Sequence, residues 1–392
     1  MTSTIEPSFD PHSTLPPAPE PRQLRIAFTG SGSEYLRIWI VNLLLTLVTL
    51  GLYYPWAKVR RLRYFYGNTL VDGAALDFHG NPKKMLKGTL LVAVLFGLYS
   101  VAGRFSAVAG LVALVLIYAV MPALLRASLH FRLANTSWRG LRFVFKGRTA
   151  DAYRAALPLY VPAVMFASLM ALGAPNNRAP DALWFTLCLF GLSILTLALF
   201  PWSLWKFKQY QHEHYALAQL QTRFTATTGA FYKLGGKMFG WVVLAFGLPL
   251  LIMFVALTIT KPHFNNTPWQ ATLIGMLPLV LMLLIMVSVK PYAIARTQNL
   301  VWNHTGNTEL QFHSDLRFKA MLWLTLKNWL LVLLTLGFYW PFAAVAMARM
   351  RLQAIRISSH IDPDSLIGQP AGNGSTAVGD AAGDMLGIDL GI

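Results

Sequence analysis

Apolar residues in this chain come in long unbroken runs, near 35–56, 86–102, 107–125, 153–172, 182–205, 238–260, 271–290 and 321–343. A helix rises about 1.5 Å per residue, so roughly 20 apolar residues cross about 30 Å of hydrocarbon. Stretches such as Leu43-Leu44-Leu45 and Val280-Leu281-Met282-Leu283-Leu284 lack the period-two alternation of a membrane barrel strand. The pattern predicts an all-α polytopic membrane protein with about eight transmembrane helices.

The connectors fall into two kinds. Short ones lie near 103–106, 173–181 and 261–270. Longer, basic ones lie near 57–85, 126–152, 206–237 and 291–319, the second carrying Arg126, Arg132, Arg139, Arg142, Lys146 and Arg148. Lys and Arg accumulate in cytoplasmic loops, which places the long connectors inside and pairs the six middle runs into three hairpins. Eight full spans then put both ends outside, yet Arg349, Arg351 and Arg356 directly follow the last run. Two arrangements fit. Either all eight runs span with a local exception to the charge rule, or the first and last are re-entrant and both ends are cytoplasmic. Residues 1–25 are Pro-rich and residues 358–392 are rich in Gly, Ala and Asp, compositions that predict disordered tails around a membrane domain at 26–357.

The chain resembles itself. Asn68-Thr69, Gly73, Phe78 and Gly80 return at the same spacing as Asn135-Thr136, Gly140, Phe145 and Gly147, with echoes at Phe28-Thr29-Gly30, Phe224-Thr225 and Phe312-His313. The alternation in Arg142-Phe143-Val144-Phe145-Lys146 reads as a half-buried strand punctuated by glycine, so short cytoplasmic β segments are expected between the helical hairpins. Recurring phenylalanines of this kind point to packing more than to ligand binding. A second repeat joins the ends: Thr49-Leu50-Gly51-Leu52-Tyr53-Tyr54-Pro55-Trp56-Ala57 matches Thr335-Leu336-Gly337-Phe338-Tyr339-Trp340-Pro341-Phe342-Ala343, with Asn42 matching Asn328. Gly51, Pro55, Gly337 and Pro341 are the candidate helix hinges.

Composition supports the membrane reading. Of 392 residues 55% are hydrophobic and 12% charged, against roughly 25% charged in a soluble domain. A disordered chain is excluded. The balance of 33 Lys+Arg against 16 Asp+Glu would suggest nucleic acid in a soluble protein. Here the basic residues flank apolar runs, so anionic lipid headgroups on the cytoplasmic face are the expected partner and nucleic acid is not. Arg60, Arg61 and Arg63, interleaved with Tyr64 and Phe65, are candidate lipid contacts, as is Lys327, which lies inside the last run beside Asn328.

Catalytic chemistry is sparse. The apolar runs hold no Asp or Glu, which argues against proton coupling. His212-Glu213-His214 lacks the i, i+4 spacing of a zinc helix and sits in a stretch, Tyr210 to Gln221, that reads as a juxtamembrane helix. Gly30-Ser31-Gly32 is too short for a phosphate loop. No catalytic residue, metal site or cofactor is expected, and Cys188 has no partner for an intrachain disulfide.

The opening Phe28-Thr29-Gly30-Ser31-Gly32-Ser33-Glu34-Tyr35, the Asn42 helix, the segment Thr49 to Ala57 and Asn68-Thr69 with Gly73 and Phe78 together resemble the YjgN-like family. The likeness covers most of 26–357 and is strongest at 28–80. It implies a multi-pass bacterial inner-membrane protein and supplies no catalytic residues. Two functions are carried forward: a channel or carrier for a small, anionic solute, suggested by repeated hairpins, and a lipid-headgroup-binding or envelope-assembly protein without transport activity.

Overall fold

The computed structural model describes residues 21–173, 182–260 and 268–362. Its elements follow one another as strand–helix–helix–strand segments. The first holds β1 (Arg22–Phe28), α1 (Gly32–Val48), α2 (Tyr54–Gly67) and β2 (Thr69–Val71). The second holds β3 (Ala74–Phe78), α3 (Pro82–Phe105), α4 (Ala107–Ala134) and β4 (Thr136–Trp138). The third holds β5 (Leu141–Phe145), α5 (Thr149–Gly173), α6 (Ala182–Glu213) and β6 (Tyr215–Leu217), trailed by β7 (Leu220–Gln221). The fourth holds β8 (Arg223–Phe224), α7 (Thr228–Thr260), α8 (Pro268–Trp302) and β9 (Thr305–Gly306). The fifth holds β10 (Leu310–Ser314), α9 (Phe318–Leu334), α10 (Trp340–Gln353) and β11 (Ile355–Ser359).

The strands form one sheet in the order β7-β6-β5-β4-β3-β2-β1-β11-β10-β9-β8. Neighbouring strands run antiparallel; Leu24 lies opposite Ile357, and Ile26 opposite Val71. The two ends of that order, β7 and β8, are separated in the chain by Thr222 alone. The strands therefore make a closed ring. The helices close in the same way, each packing on the one before and the one after, with α10 returning to α1. Two-residue turns at Asp72-Gly73 and Arg139-Gly140 hold both residues at positive φ, the hairpin geometry that matches strand twist. The Asp72 carboxylate accepts from Arg22 at 2.8 Å and from Arg139 at 3.0 Å, tying neighbouring turns together.

Among the described residues six helices, α3 to α8, are long and apolar enough to cross a membrane. The pattern of apolar runs predicts about eight, and the difference lies at the two ends. The first run breaks after Val48 and the last after Leu334, leaving helices of 17 and 14 residues on each side. A 17-residue helix is about 26 Å long, short of the roughly 30 Å of hydrocarbon. Both breaks use the same construction. Leu50 and Gly51 have φ of 50° and 92°, and Leu336 and Gly337 have 49° and 96°. The N–H of Gly51 donates to the Thr46 carbonyl, and that of Gly337 to Val332, each at 2.8 Å. The Thr49 hydroxyl accepts from the Tyr53 N–H at 3.0 Å, and Thr335 accepts from Tyr339 at 2.9 Å. Pro55 and Pro341 open the next helix, where a missing N–H costs nothing. The four candidate hinge residues thus sit at a fixed helix–turn–helix tip. That tip is apolar and bare: Leu50 is 95% exposed and Leu336 90%.

Three further expectations shift. The basic connectors are mostly helix, because α4, α6 and α8 run past their apolar cores to Ala134, Glu213 and Trp302, where strands and neighbouring helices supply packing. The stretch from Tyr210 to Gln221 is helical only to Glu213; it then becomes β6, which turns at Ala218 (φ 52°) into β7. The boundaries at 25 and 358 fall inside strands, since β1 begins at Arg22 and β11 ends at Ser359, the two pairing with each other. Residues 1–20, 174–181, 261–267 and 363–392, which hold both tails and two of the short connectors, lie outside the described residues.

The recurring motifs close helices and seat rings. Asn68 and Asn135 donate through Nδ2 to the carbonyls of Tyr64 and Phe131, each at 2.8 Å, and Thr69 and Thr136 donate to Phe65 and Arg132 at 2.7 and 2.8 Å. Thr305 does the same to Val301 at 2.7 Å. These side chains satisfy carbonyls that a helix end leaves unpaired. In each Phe-x-Gly the ring lies over the glycine: a Cβ on Gly80 would sit 2.4 Å from the Phe78 ring, and one on Gly147 2.6 Å from Phe145. Phe78 stacks on Tyr66 (5.6 Å) and Phe145 meets Tyr210 edge-on (5.3 Å).

Candidate functional site

A strand sends alternate side chains to opposite faces. In the ring this alternation gathers Leu24 and Ile26 of β1, Trp138 of β4, Phe143 of β5, Leu217 of β6, Phe312 of β10 and Ile355 and Ile357 of β11 around one interior space. The last turns of four helices line the same space, through Tyr66 of α2, Leu129, Arg132 and Leu133 of α4, Trp302 of α8 and Leu352 of α10. The result is a partly open chamber of about 260 Å³, with residues of all five segments on its walls. Ten-odd strands enclose more space than their own side chains fill, whereas about eight are just filled.

The chamber's neutral polar side chains are engaged with the backbone. Thr69 and Thr136 donate to their helix-end carbonyls. Thr222 donates to the carbonyl of Tyr215 at 3.2 Å, and Gln221 through Nε2 to that of Glu213 at 3.1 Å. Asn307 donates to the Gln221 carbonyl at 3.1 Å and accepts the Glu309 N–H at 2.9 Å. The Tyr215 hydroxyl is buried, which raises its pKa; its hydrogen bond with Gln211 opposes that rise, and Arg132 does so more weakly. Arg132 is the one charged residue among those that line the chamber.

A second, polar cleft lies where α5 and α6 approach the sheet, lined by Asp151, Arg154, Lys206, Tyr210, Glu213 and His214. Arg154 donates to Asp151 at 3.1 Å, and Lys206 lies over the Trp205 ring. The paired histidines of the His-Glu-His stretch part company. His212 is buried among Tyr215, Phe224 and Trp302 with Nδ1 3.2 Å from the Thr305 hydroxyl, whereas His214 turns Nδ1 to the Tyr210 carbonyl at 2.8 Å. Among the described residues no three His, Cys, Asp or Glu side chains are placed to hold a metal ion.

The candidate lipid contacts are exposed and spread over the two short hairpins. Arg60 packs on the Tyr53 ring, Arg61 faces outward, and Arg63 donates through Nε to the Phe78 carbonyl at 3.3 Å. Lys327 is exposed midway along α9, next to the buried Asn328. None of these four lines the chamber. Arg132 appears in the sequence as one more basic residue after an apolar run. Its helical spacing from Leu129 and Leu133 is the signal that turns it toward an apolar interior.

The strand ring, the six described helices long and apolar enough to cross a membrane and the two short apolar hairpins are the architecture of a multi-pass integral membrane protein. The chain belongs to the family described as DUF898, bacterial protein of unknown function, whose model matches residues 23–385. It is 23% identical over 356 residues to the inner membrane protein YjgN of Salmonella typhimurium, covering 86% of this chain and 89% of that one. It is also 31% identical over 119 residues, 30% of each chain, to the inner membrane protein YjgN of Escherichia coli strain K12. No solved structure matches. The protein is accordingly an integral protein of the bacterial inner membrane.

Proposed function

We propose that this is a lipid-handling protein of the inner membrane, neither an enzyme nor an aqueous channel, whose strand ring accepts one apolar chain in its interior chamber. The reading rests on the chamber: about 260 Å³, walled mainly by aliphatic and aromatic side chains. An apolar cavity of about 150 Å³ stays dry and takes up benzene. A hydrated solute path needs polar lining that these walls do not offer.

The membrane setting follows from the same reasoning. In it the ring lies on the cytoplasmic side, where Arg60, Arg61, Arg63 and Lys327 meet anionic headgroups, each worth about 1 kcal/mol near the surface. The five segments are internal repeats of one unit. Three long hairpins cross the bilayer, and the two short ones are re-entrant, which returns both ends of the described chain to the ring side. One observation favours the alternative of a solute carrier: all five segments surround a common interior with an arginine on its wall.

The test is to purify the wild type and Ala216→Phe in nanodiscs, extract them, and measure bound hydrophobic molecules by mass spectrometry against empty discs. Ala216 is buried on β6 and lines the chamber. A molecule retained by the wild type and reduced about tenfold in the filled variant supports the proposal, tenfold being about 1.4 kcal/mol. Equal recovery from both, with matching thermal unfolding, overturns it.

A further inference from the structure

We propose that the polar cleft between α5 and α6 holds the headgroup of a zwitterionic phospholipid bearing a primary ammonium, with its phosphate at Lys206 and Arg154 and its ammonium at Glu213. The inference uses the membrane placement proposed above and is independent of the chamber. Three observations carry it. The first is the order of charge along the cleft. On α6, Lys206, Gln209, Tyr210 and Glu213 recur at i, i+3, i+4 and i+7, so one helix face presents all four. Asp151, Arg154 and Ala155 line the cleft from α5. Since β5 leads into α5, α6 leads out to β6, and the two strands pair, the helices run antiparallel. Arg154 is the last charged residue before the apolar part of α5, and Lys206 the first after that of α6. Both cations therefore stand at the bilayer edge. Asp151 lies nearly a turn closer to the sheet, and Glu213 two turns closer, about 10 Å. The cleft is positive at its lipid end and negative at its sheet end.

The second is availability. Asp151 and Arg154 pair with each other at 3.1 Å. Among the described residues Lys206 and Glu213 have no ion-pair partner, and both are half-buried, with the Lys206 Nζ 4.8 Å from the centre of the Trp205 ring. A partly desolvated charge gains from a partner of opposite sign. His214 adds an acceptor: its Nδ1 faces the Tyr210 carbonyl at 2.8 Å and so carries the proton, which leaves Nε2 of the neutral ring with a lone pair.

The third is the placement of Glu213. Asn68, Asn135, His214 and His304 close α2, α4, α6 and α8 alike, each side chain bonding the carbonyl four residues back at 2.8 Å. The residue just before is Gly67, Ala134, Glu213 and Asn303 in turn. Closing the helix thus needs no acid there, and the dipole at a helix C-terminus disfavours an anion. A bound ammonium offsets that penalty. A purely anionic headgroup would meet Glu213 as a like charge, and a trimethylated one has no N–H for a carboxylate to accept. The cleft, about 260 Å³, is open at the surface, so a headgroup enters while its acyl chains stay in the bilayer.

The experiment is native mass spectrometry of the full chain released from nanodiscs of equal parts phosphatidylethanolamine, phosphatidylcholine and phosphatidylglycerol with the same acyl chains. Phosphatidylethanolamine is expected to be retained about tenfold or more over either other lipid, and Glu213→Gln to remove most of that preference, since hydrogen bonds to charged groups are the strong ones. Lys206→Gln is expected to lower its retention as well, and Ala216→Phe to leave it unchanged. Water-soluble glycerophosphoethanolamine is expected not to displace it. Equal retention of phosphatidylcholine, a preference for phosphatidylglycerol, or a full preference kept by Glu213→Gln overturns the inference. Displacement by the soluble ester overturns it in favour of a free phosphate ester. Loss in Ala216→Phe with retention in Glu213→Gln puts the lipid in the chamber, and then this inference falls while the chain-binding reading stands. The comparison of lipids on the wild type needs no variant, so it decides the matter even where Glu213→Gln fails to fold.

Discussion

Leu50→Asp and Leu336→Asp are each expected to lower stability in nanodiscs by about 2.5–3.5 kcal/mol, the cost of an aspartate in the hydrocarbon centre. The sign is what makes the experiment informative. Both leucines hold positive φ, a conformation that Asp and Asn tolerate better than a bulky aliphatic residue does. In water the substitution would relieve backbone strain and remove an exposed apolar side chain, so stability would rise or hold. Only a tip immersed in lipid makes it fall. Thermal unfolding of the two variants beside Leu50→Asn and Leu336→Asn measures the effect. Unchanged or raised midpoints for all four would place the short hairpins outside the bilayer and remove the re-entrant arrangement from the proposal.

The second large effect concerns the rings of the Phe-x-Gly motif. Phe78→Ala and Phe145→Ala are each expected to cost about 3–5 kcal/mol, the usual range for removing a buried phenylalanine. Phe78 packs in one cluster with Val59, Tyr66, Met85 and Phe131, and Phe145 in another with Leu125, Leu129, Ala152, Ala155 and Tyr210. Each ring therefore joins a strand to helices on both sides of it. Phe224 and Phe312 stand at the echo positions but are only half-buried, so their alanine variants are expected to lose less. Chemical or thermal denaturation of the four variants measures the ranking. Equal losses across all four would mean that the rings do not act through burial.

Much of this was legible in the chain, for reasons that differ by element. The six long helices announce themselves because a continuous apolar run has few other solutions in lipid. The short hairpins are written in Thr49-Leu50-Gly51 and Thr335-Leu336-Gly337, yet a run-length reading merges each pair of helices across its turn. The strands are harder to see. Most span two to five residues, too few for alternation to stand out, and β11 finds β1 across the length of the chain, as in the Gln23 to Ser358 hydrogen bond. The chamber is harder still. It belongs to no motif, and its walls are assembled from a few positions on each of most of the strands and from four helix ends. The basic residues nearest a motif are Arg60 to Arg63, out on the exposed face, while Arg132, on the chamber wall, looks the same in sequence as its solvated neighbours.

The seam between β1 and β11 carries a consequence for biogenesis. β11, the partner of the first half of β1, is made far downstream, so until then β1 offers one unpaired edge at Arg22 to Arg25, with Leu24 bare. Such edges invite wrong partners, including the same edge of another nascent copy. Moving the chain termini to the Asp72-Gly73 turn and linking the old ones would let that seam form early and leave a different pair of strands to meet at the end.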